Sequence, residues 1–327
     1  MFKPAYISLY ESGELTRRAE ILKTKLESCD ICPRACRVNR LETKKGFCRS
    51  GGLASIASYC DHHGEEPVLS GTRGSGTIFF QNCNLACRYC QNYQISQGDN
   101  TSAREVNGRG LAELMLSLQE EYGCHNINFV SPSHFVPQIV EAVGKAVPLG
   151  LNIPLVYNTN AYDSLATLKL LDGIIDIYLP DIKYASDKWA YKLSQSKGYV
   201  QVSRQAIREM YNQVGELRVN ERGVATRGLI VRHLILPNDL AGSCNSLTWL
   251  VQNLSRHVTV SVMSQYHPCH KAFHEPLLAR TITHAEYETV ANQVESLAIE
   301  NGWLQQMESS EYYLPDFQRE GHPFHHG

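Results

Sequence analysis

Between Thr77 and Met263 short β-rich runs alternate with amphipathic helical patterns, and this alternation limits the possible folds more than any other feature of the chain. The runs are "TIFFQ" (77–81), "NINFV" (126–130), "PLVYN" (154–158), "IIDIYL" (174–179), "GLIVRHLIL" (228–236) and "VTVSVM" (258–263). Between the first two, Leu111, Leu114, Met115, Leu118 and Tyr122 recur at the spacing of one helical face. Ile207, Met210, Tyr211 and Val214 form a second such face between the fourth and fifth. After the sixth run, "THAE" (283–286) is a capping box, with Ile282 and Tyr287 placed as a hydrophobic staple. Tyr287, Val290, Ala291, Val294 and Ala298 continue that helix as an apolar stripe, and Gly302 is its expected stop. Six strands joined by helices imply parallel neighbours, because parallel strands need crossover connections. An open doubly wound sheet and a (β/α) barrel, complete or partial, both satisfy the pattern.

The organisation around this body is simpler. Residues 1–72 are polar, irregular and cysteine-rich, and read as a small metal-binding lobe. Residues 73–281 carry the α/β rhythm. Residues 282–327 supply a C-terminal helix and the tail "EYYLPDFQREGHPFHHG", whose aromatics predict a docked extension. A formal net charge of −2 offers no basic field for nucleic acid. The N-terminal residues have no apolar core of signal-peptide length, and no run is long enough to span a bilayer. Eleven cysteines without an export signal read as a cytoplasmic metalloprotein, not as a disulfide framework.

Seven of those cysteines fall in two tight groups. In "CNLACRYC", Cys83, Cys87 and Cys90 form a C-x3-C-x2-C triad; with 11 cysteines in 327 residues, about 0.01 chance occurrences are expected. A structural zinc or iron–sulfur site with a fourth ligand from elsewhere is the plain alternative. Iron–sulfur clusters normally take four thiolates, so three from one loop leave one iron of a [4Fe-4S] cube open for a small chelating ligand.

The triad, with Tyr89 just before its last cysteine, resembles the radical S-adenosylmethionine (SAM) superfamily. The string "GSGTIFFQNCNLACRYCQNYQIS" (74–96) resembles more narrowly the PflX family of pyruvate formate-lyase-activating-enzyme-like proteins. So do "HNINFVSPSHFVPQIVEA", "IPLVYNTNAYDSLATLKLLDGIIDIYLPDIKY" and "GLIVRHLILPND". The resemblance covers most of residues 29–320. It implies a partial (β/α)6 barrel of TIM type, a [4Fe-4S] cluster on Cys83, Cys87 and Cys90, and SAM chelating the open iron.

In barrels of this kind chemistry sits at the C-terminal ends of the strands. Here each expected strand runs into polar residues: the cysteine loop, then Ser131 to His134, then Asn158 to Asn160, then Asp181 to Lys183. The fifth carries Arg232 and ends in Pro237-Asn238-Asp239; the sixth leads to Gln265-Tyr266-His267. Any one of these alone reads as a turn or a helix cap. The resemblance implies that Lys183 meets the SAM carboxylate, with Asp181 and Arg232 beside it. Ser131, Ser133, Asn158 and Asn160 offer acceptors to the amino and ribose groups. Tyr89 would lie near the adenine and His267 near the cofactor. The sequence departs from the activating enzymes at "SPSH", where they usually have a glycine pair and a glutamate. It departs again at Asn158, which replaces an aspartate.

"CDICPRACRVNR…GFC" places Cys29, Cys32, Cys36 and Cys48 in a C-x2-C-x3-C-x11-C array. Four thiolates close a coordination sphere, so a structural zinc and a second iron–sulfur cluster both fit. Cys60, His62 and His63, with Glu65 and Glu66, could form a further ligand set; "DHHGEEP" reads instead as a loop at the barrel mouth. Cys124 and Cys244 read as packed thiols, and Cys269 lies beside His267 and His270. "GTRGSGT" (71–77) precedes a strand and is an entry turn, not a phosphate loop.

The expected activity is reductive cleavage of SAM to methionine and a 5′-deoxyadenosyl radical, which abstracts hydrogen from a substrate. A low-potential donor of flavodoxin or ferredoxin type supplies the electron. The resemblance implies a glycine of a glycyl-radical enzyme as substrate. A peptide or small metabolite is the alternative substrate, and a non-catalytic electron carrier or metal-stapled binding module is the alternative from another class.

Overall fold

In the computed structural model, residues 3–42, 45–98, 103–307, 315–317 and 322–324 are described. Among them the strands are β1 (Ala54–His62), β2 (Ser75–Phe80), β3 (Arg104–Val106), β4 (Ile127–Val130), β5 (Leu155–Thr159), β6 (Ile177–Pro180), β7 (Arg218–Val219), β8 (Ala225–Leu234), β9 (Thr259–Met263) and β10 (Gly302–Leu304). They form one sheet in the order β10-β9-β8-β6-β5-β4-β2-β1-β3, with β7 on β8. The neighbours from β2 through β10 pair parallel, and β1 pairs antiparallel with both β2 and β3. All six expected strands are present within a few residues of their expected bounds. The sheet never closes, since β10 and β3 are its two edges. Residues from β2, β4, β5, β8, β9 and β10 nevertheless wall one cavity, so the sheet curls around it. The fold is a mixed α/β partial barrel with a mostly parallel sheet.

The helices follow from local chemistry. Helix Gly108–Glu120 starts where the Asn107 side chain accepts the Arg109 and Gly110 amides, and it buries Leu111, Met115 and Leu118. Tyr122 lies past its end and is exposed. Helix Tyr199–Val214 buries Ile207, Met210 and Val214, the expected face. In helix His284–Ser296 the Thr283 and Glu286 capping box forms in full.

Three sequence expectations meet a different outcome. Gly302 does not stop that helix, which ends at Ser296; Gly302 opens β10, beside Val260 of β9. Its φ is +140°, and a Cβ there would sit 2.0 Å from the Val260 carbonyl oxygen, so the strand closes on its neighbour only with glycine. Ala298 lies beyond the helix with φ +48°, outside the stripe. Residues 1–72 are not irregular: they contain helices Ala5–Glu11 and Glu14–Thr24 and the long strand β1. Leu15, Leu22, Leu26 and Ile31 enter the same core as Phe129, Ile139 and Val140. Each fully buried leucine there contributes roughly 1.5–3 kcal/mol. Tyr6 ties the first helix to the body by donating to the Ile153 carbonyl at 2.8 Å. In the tail, Phe317 packs edge-on against Phe79 and Phe324 stacks on His62 at 4.1 Å. The rest of that aromatic stretch, 311–314, 318–321 and 325–327, lies outside the described residues. Among the described residues no helix is long and apolar enough to cross a membrane.

Candidate active site

The strand ends wall a cavity of about 480 Å³. Cys83, Cys87 and Cys90 reach it from the loop after β2. That loop is pinned on both sides. The Asn82 amide, at φ +69°, donates to the Ile95 carbonyl; the Ala86 and Arg88 amides donate to the Ser194 and Leu193 carbonyls at 3.1 and 2.8 Å. Each sulfur then has its own polar side-chain partner. The Asn160 amide donates to Cys83 at 3.4 Å, the Ser194 hydroxyl donates to Cys87 at 3.0 Å, and the Ser96 hydroxyl lies 3.2 Å from the Cys90 sulfur. The Leu85 amide adds a second donor to Cys83 at 3.4 Å.

Burial pushes the Cys83 and Cys90 thiols up to about 12, and raises Cys87 as well. Buried, mutually repelling sulfurs that nonetheless receive donors fit thiolates neutralised by a bound cation assembly. Among the described residues no three or more His, Cys, Asp or Glu side chains are arranged to hold a single metal ion. No fourth cysteine lines the cavity among the described residues: Cys269 is buried beside the loop, its thiol donating to the Cys90 carbonyl at 3.4 Å.

Of the residues expected on the rim, Tyr89, Ser131, Asn158, Asn160, Asp181, Lys183 and Arg232 line the cavity. Tyr89 is buried edge-on between Tyr184 and Tyr266. Lys183 donates to Asp181 at 2.6 Å. Burial alone would lower the Lys183 pKa, but Asp181 and the nearby Cys87 raise it, so the ammonium stays charged.

Several of these side chains are committed elsewhere. Asn160 accepts the Tyr162 amide at 2.9 Å and gives its own N–H groups to Asn84 and Cys83, so it is a support for the cysteine loop more than an acceptor for a ligand. Arg232, on the cavity wall, is gripped by Glu66 at 2.7 and 2.8 Å and paired with Glu65. Two further expected residues lie off the cavity wall. Ser133 is not a cavity wall: the 3₁₀ turn Pro132–His134 turns it inward, its hydroxyl 3.1 Å from that of Thr159. His267 is not a wall either; Gln265, two residues earlier, takes that place.

The "DHHGEEP" segment does lie at the mouth, with His62, Glu65 and Glu66 in the wall and Cys60 packed into an apolar cluster with Phe79 and Val130. Glu65 also accepts from Asn128 at 3.0 Å and meets His62 at 3.3 Å. Burial would raise the Glu65 pKa, yet the Arg232 guanidinium and His62 hold the carboxyl well below the usual range. The pairing of this segment with Arg232 was invisible in the sequence, where 166 residues separate Glu66 from Arg232. Asp163 was missed too; it is buried, accepts from Tyr157 and Thr159, and braces β5 beneath the rim.

A partial parallel barrel with three cysteines from one loop on its rim has the layout of an iron–sulfur enzyme. Residues 77–216 match the family model of the radical SAM superfamily. Over 279 residues the chain is 31% identical to MJ0674, an uncharacterized protein of Methanocaldococcus jannaschii, covering 84% of this chain and 76% of that one. The chain belongs to the radical SAM superfamily. That family implies a [4Fe-4S] cluster, SAM and a reductant. Among solved structures the chain is similar to SuiB of Streptococcus suis bound to the precursor peptide SuiA (10% identity, TM-score 0.45, 74% of this chain and 51% of that one). It is also similar to the [FeFe]-hydrogenase maturase HydG of Carboxydothermus hydrogenoformans (12% identity, TM-score 0.46, 68% and 51%). The chain thus spans about half the length of these structures.

Proposed function

We propose that the chain is an activating enzyme of the PflX type, holding a [4Fe-4S] cluster on Cys83, Cys87 and Cys90 and abstracting hydrogen from a glycine of a partner protein. When bound, the cluster and SAM supply a one-electron reductive cleavage that yields a 5′-deoxyadenosyl radical. The observation that carries this reading is a loop of three cysteines, Cys83, Cys87 and Cys90, facing one cavity beside the charged Lys183, with no fourth cysteine on its walls among the described residues. The chain's own part is to hold and shield. Asn160, Ser194 and Ser96 fix the three sulfurs. Lys183, charged and hydrogen-bonded to Asp181, is the cation that would meet the SAM carboxylate. Asn158 and Ser131 offer acceptors to its amino and ribose groups. Phe79, Leu85 and Val130 supply apolar wall that keeps water and stray hydrogen donors from the reacting carbon. The electron comes from a low-potential donor of flavodoxin or ferredoxin type.

The glycine assignment rests on the sequence resemblance, supported by a sheet that stays open between its edges and can admit a loop of a partner. The test is anaerobic. The native chain should bind iron and sulfide and release 5′-deoxyadenosine from SAM with a reductant, and Cys83→Ala, Cys87→Ala and Cys90→Ala should each lose both properties. Full activity in any of the three would sink the cluster assignment. A glycyl-radical signal on adding a candidate partner supports the substrate; deoxyadenosine with a peptide or metabolite, and no such signal, replaces it.

A further inference from the structure

Two segments back the cysteine loop from outside the cavity. Helix Asp187–Ser194 ends with the Ser194 hydroxyl on the Cys87 sulfur. The 3₁₀ turn His270–His274 follows Cys269, whose thiol donates to the Cys90 carbonyl. We propose that Lys188, Lys192 and Lys271 on these segments, with Arg88 of the loop itself, form the docking face for the small acidic redox protein that delivers the electron. The proposal rests on the reading of the Cys83 loop as a cluster site.

The four cations form one connected group. Lys188 and Lys192 stand one helical turn apart, 5.1 and 5.4 Å from the centre of the Trp189 ring. Lys192 reaches the Glu275 carboxylate at 3.0 Å, and Arg88 Nε lies 3.9 Å from its other oxygen. Burial, then the charges of Lys271 and Arg88, lower the His270 pKa, which puts both cations near that ring. His270 stacks on Tyr93 at 5.0 Å, and the Tyr93 amide donates to the Cys90 carbonyl at 3.2 Å. Among the described residues Glu275 is the one carboxylate paired with the group, and it is buried. Asp187, the acid on the same helix, accepts the Val200 amide at 2.9 Å. Four cations against one buried carboxylate make a positive face on a chain whose formal net charge is −2. Phe273, 61% exposed on the same turn, adds an apolar contact. None of the four cations belongs to the cavity wall, so this face is separate from the ligand space.

The place of the face gives it a role. Arg88 lies inside the triad, between Cys87 and Cys90, and its amide donates to the Leu193 carbonyl at 2.8 Å. Lys192 and Ser194 are two residues apart, about 3 Å along the helix axis. A protein seated on the lysines therefore stands close to the Cys87 sulfur, with the Ser194 hydroxyl between. A low-potential carrier is more negative when reduced, whether its centre is a flavin or a thiolate-ligated cluster. A cationic face thus holds the reduced carrier more tightly than the oxidised one and releases it after transfer. Transient redox encounters use small interfaces, where complementary charge steers the approach and salt weakens it. The carrier is oxidised by one electron and the cluster reduced by one; no bond or proton moves.

The test follows reduction of the full-length, iron-loaded chain by anaerobic stopped flow, with reduced flavodoxin, reduced ferredoxin or dithionite as donor. Lys188→Glu/Lys271→Glu is compared with the native chain and with Lys23→Glu/Lys145→Glu. The latter makes the same change in net charge on helices Glu14–Thr24 and Val136–Ala146, away from the face. With whichever carrier reduces the native chain, the rate should fall as salt rises from about 20 to about 200 mM. At low salt the Lys188/Lys271 variant should be about tenfold slower with that carrier and lose most of the salt dependence. It should keep the native iron content and the native rate with dithionite, which is too small to need a docking face. The Lys23/Lys145 variant should match the native chain throughout. A native rate with the carrier in the Lys188/Lys271 variant overturns the proposal. So does equal slowing in both variants, or slowing with dithionite to the same extent as with the carrier. A native chain that takes up no iron removes the reading of the Cys83 loop, and this proposal with it.

Discussion

Replacing Ser194 by alanine tests whether the donors around the cysteine loop set the redox behaviour of the centre. Ser194 is fully buried at the end of helix Asp187–Ser194, and its hydroxyl donates to Cys87 at 3.0 Å. Hydrogen bonds to iron–sulfur thiolates stabilise the more negative, reduced state and so raise the potential. A hydrogen bond to a charged group contributes about 1.5–3 kcal/mol. It exists in both oxidation states, and only the part gained on reduction moves the potential. Taking about a third of it gives roughly 0.5–1 kcal/mol, or about 20–40 mV downward, since 1.4 kcal/mol corresponds to about 59 mV for one electron. Ser194→Thr keeps the donor and should stay close to the native value. The same hydroxyl lies 2.6 Å from that of Tyr184, so the alanine variant also loses some stability; the potential, not the activity, is therefore the readout. An anaerobic potentiometric titration followed by electron paramagnetic resonance measures it. A native or higher potential in Ser194→Ala, at full iron content, would refute the reasoning.

Two further outcomes follow from buried charges. Arg232→Met leaves Glu65 and Glu66 without their cation and should cost about 3–5 kcal/mol in denaturant unfolding, with Glu65→Gln restoring part of it; a loss under about 1 kcal/mol would show that the pair is not buried as described. Burial pushes the Asp176 carboxyl up to about 7, so the native state holds its proton where the unfolded chain does not. That contribution is complete below about pH 4 and is lost as pH rises to about 7, so native stability should fall relative to Asp176→Asn by up to about 4 kcal/mol across that window. A difference that stays flat between pH 4 and 8 would contradict it.

The parallel framework was legible because each strand is a short apolar run and each crossover helix carries one buried face, both local properties. The elements that were missed are those whose strand character comes from neighbours. β1, "ASIASYCDH", has small and polar residues with no clean alternation, and it becomes a strand by pairing with β2 on one side and β3 on the other. β10 is three residues long, and Gly302 reads as a helix stop until Val260 lies against it. The site divides in the same way. The cysteine triad is local and was readable from its spacing. The commitments of Arg232, Asn160 and Ser133 are long-range contacts, and the sequence has no means of showing that a promising side chain is already engaged.

Those commitments also decide which charges on the rim can answer a ligand. Arg232 faces two carboxylates, so the Glu65, Glu66 and Arg232 group pairs one guanidinium with two acids. Asp181 and Lys183 are balanced one to one. A carboxylate entering the cavity is therefore repelled on the Glu65 side and can approach only by sharing Lys183 with Asp181. An ammonium or sulfonium group finds its best surroundings on the Glu65 side. A zwitterionic ligand would therefore meet opposite charge preferences at Lys183 and at Glu65, two walls of the same cavity, and the fixed ion pairs would limit the reorganisation that free side chains require.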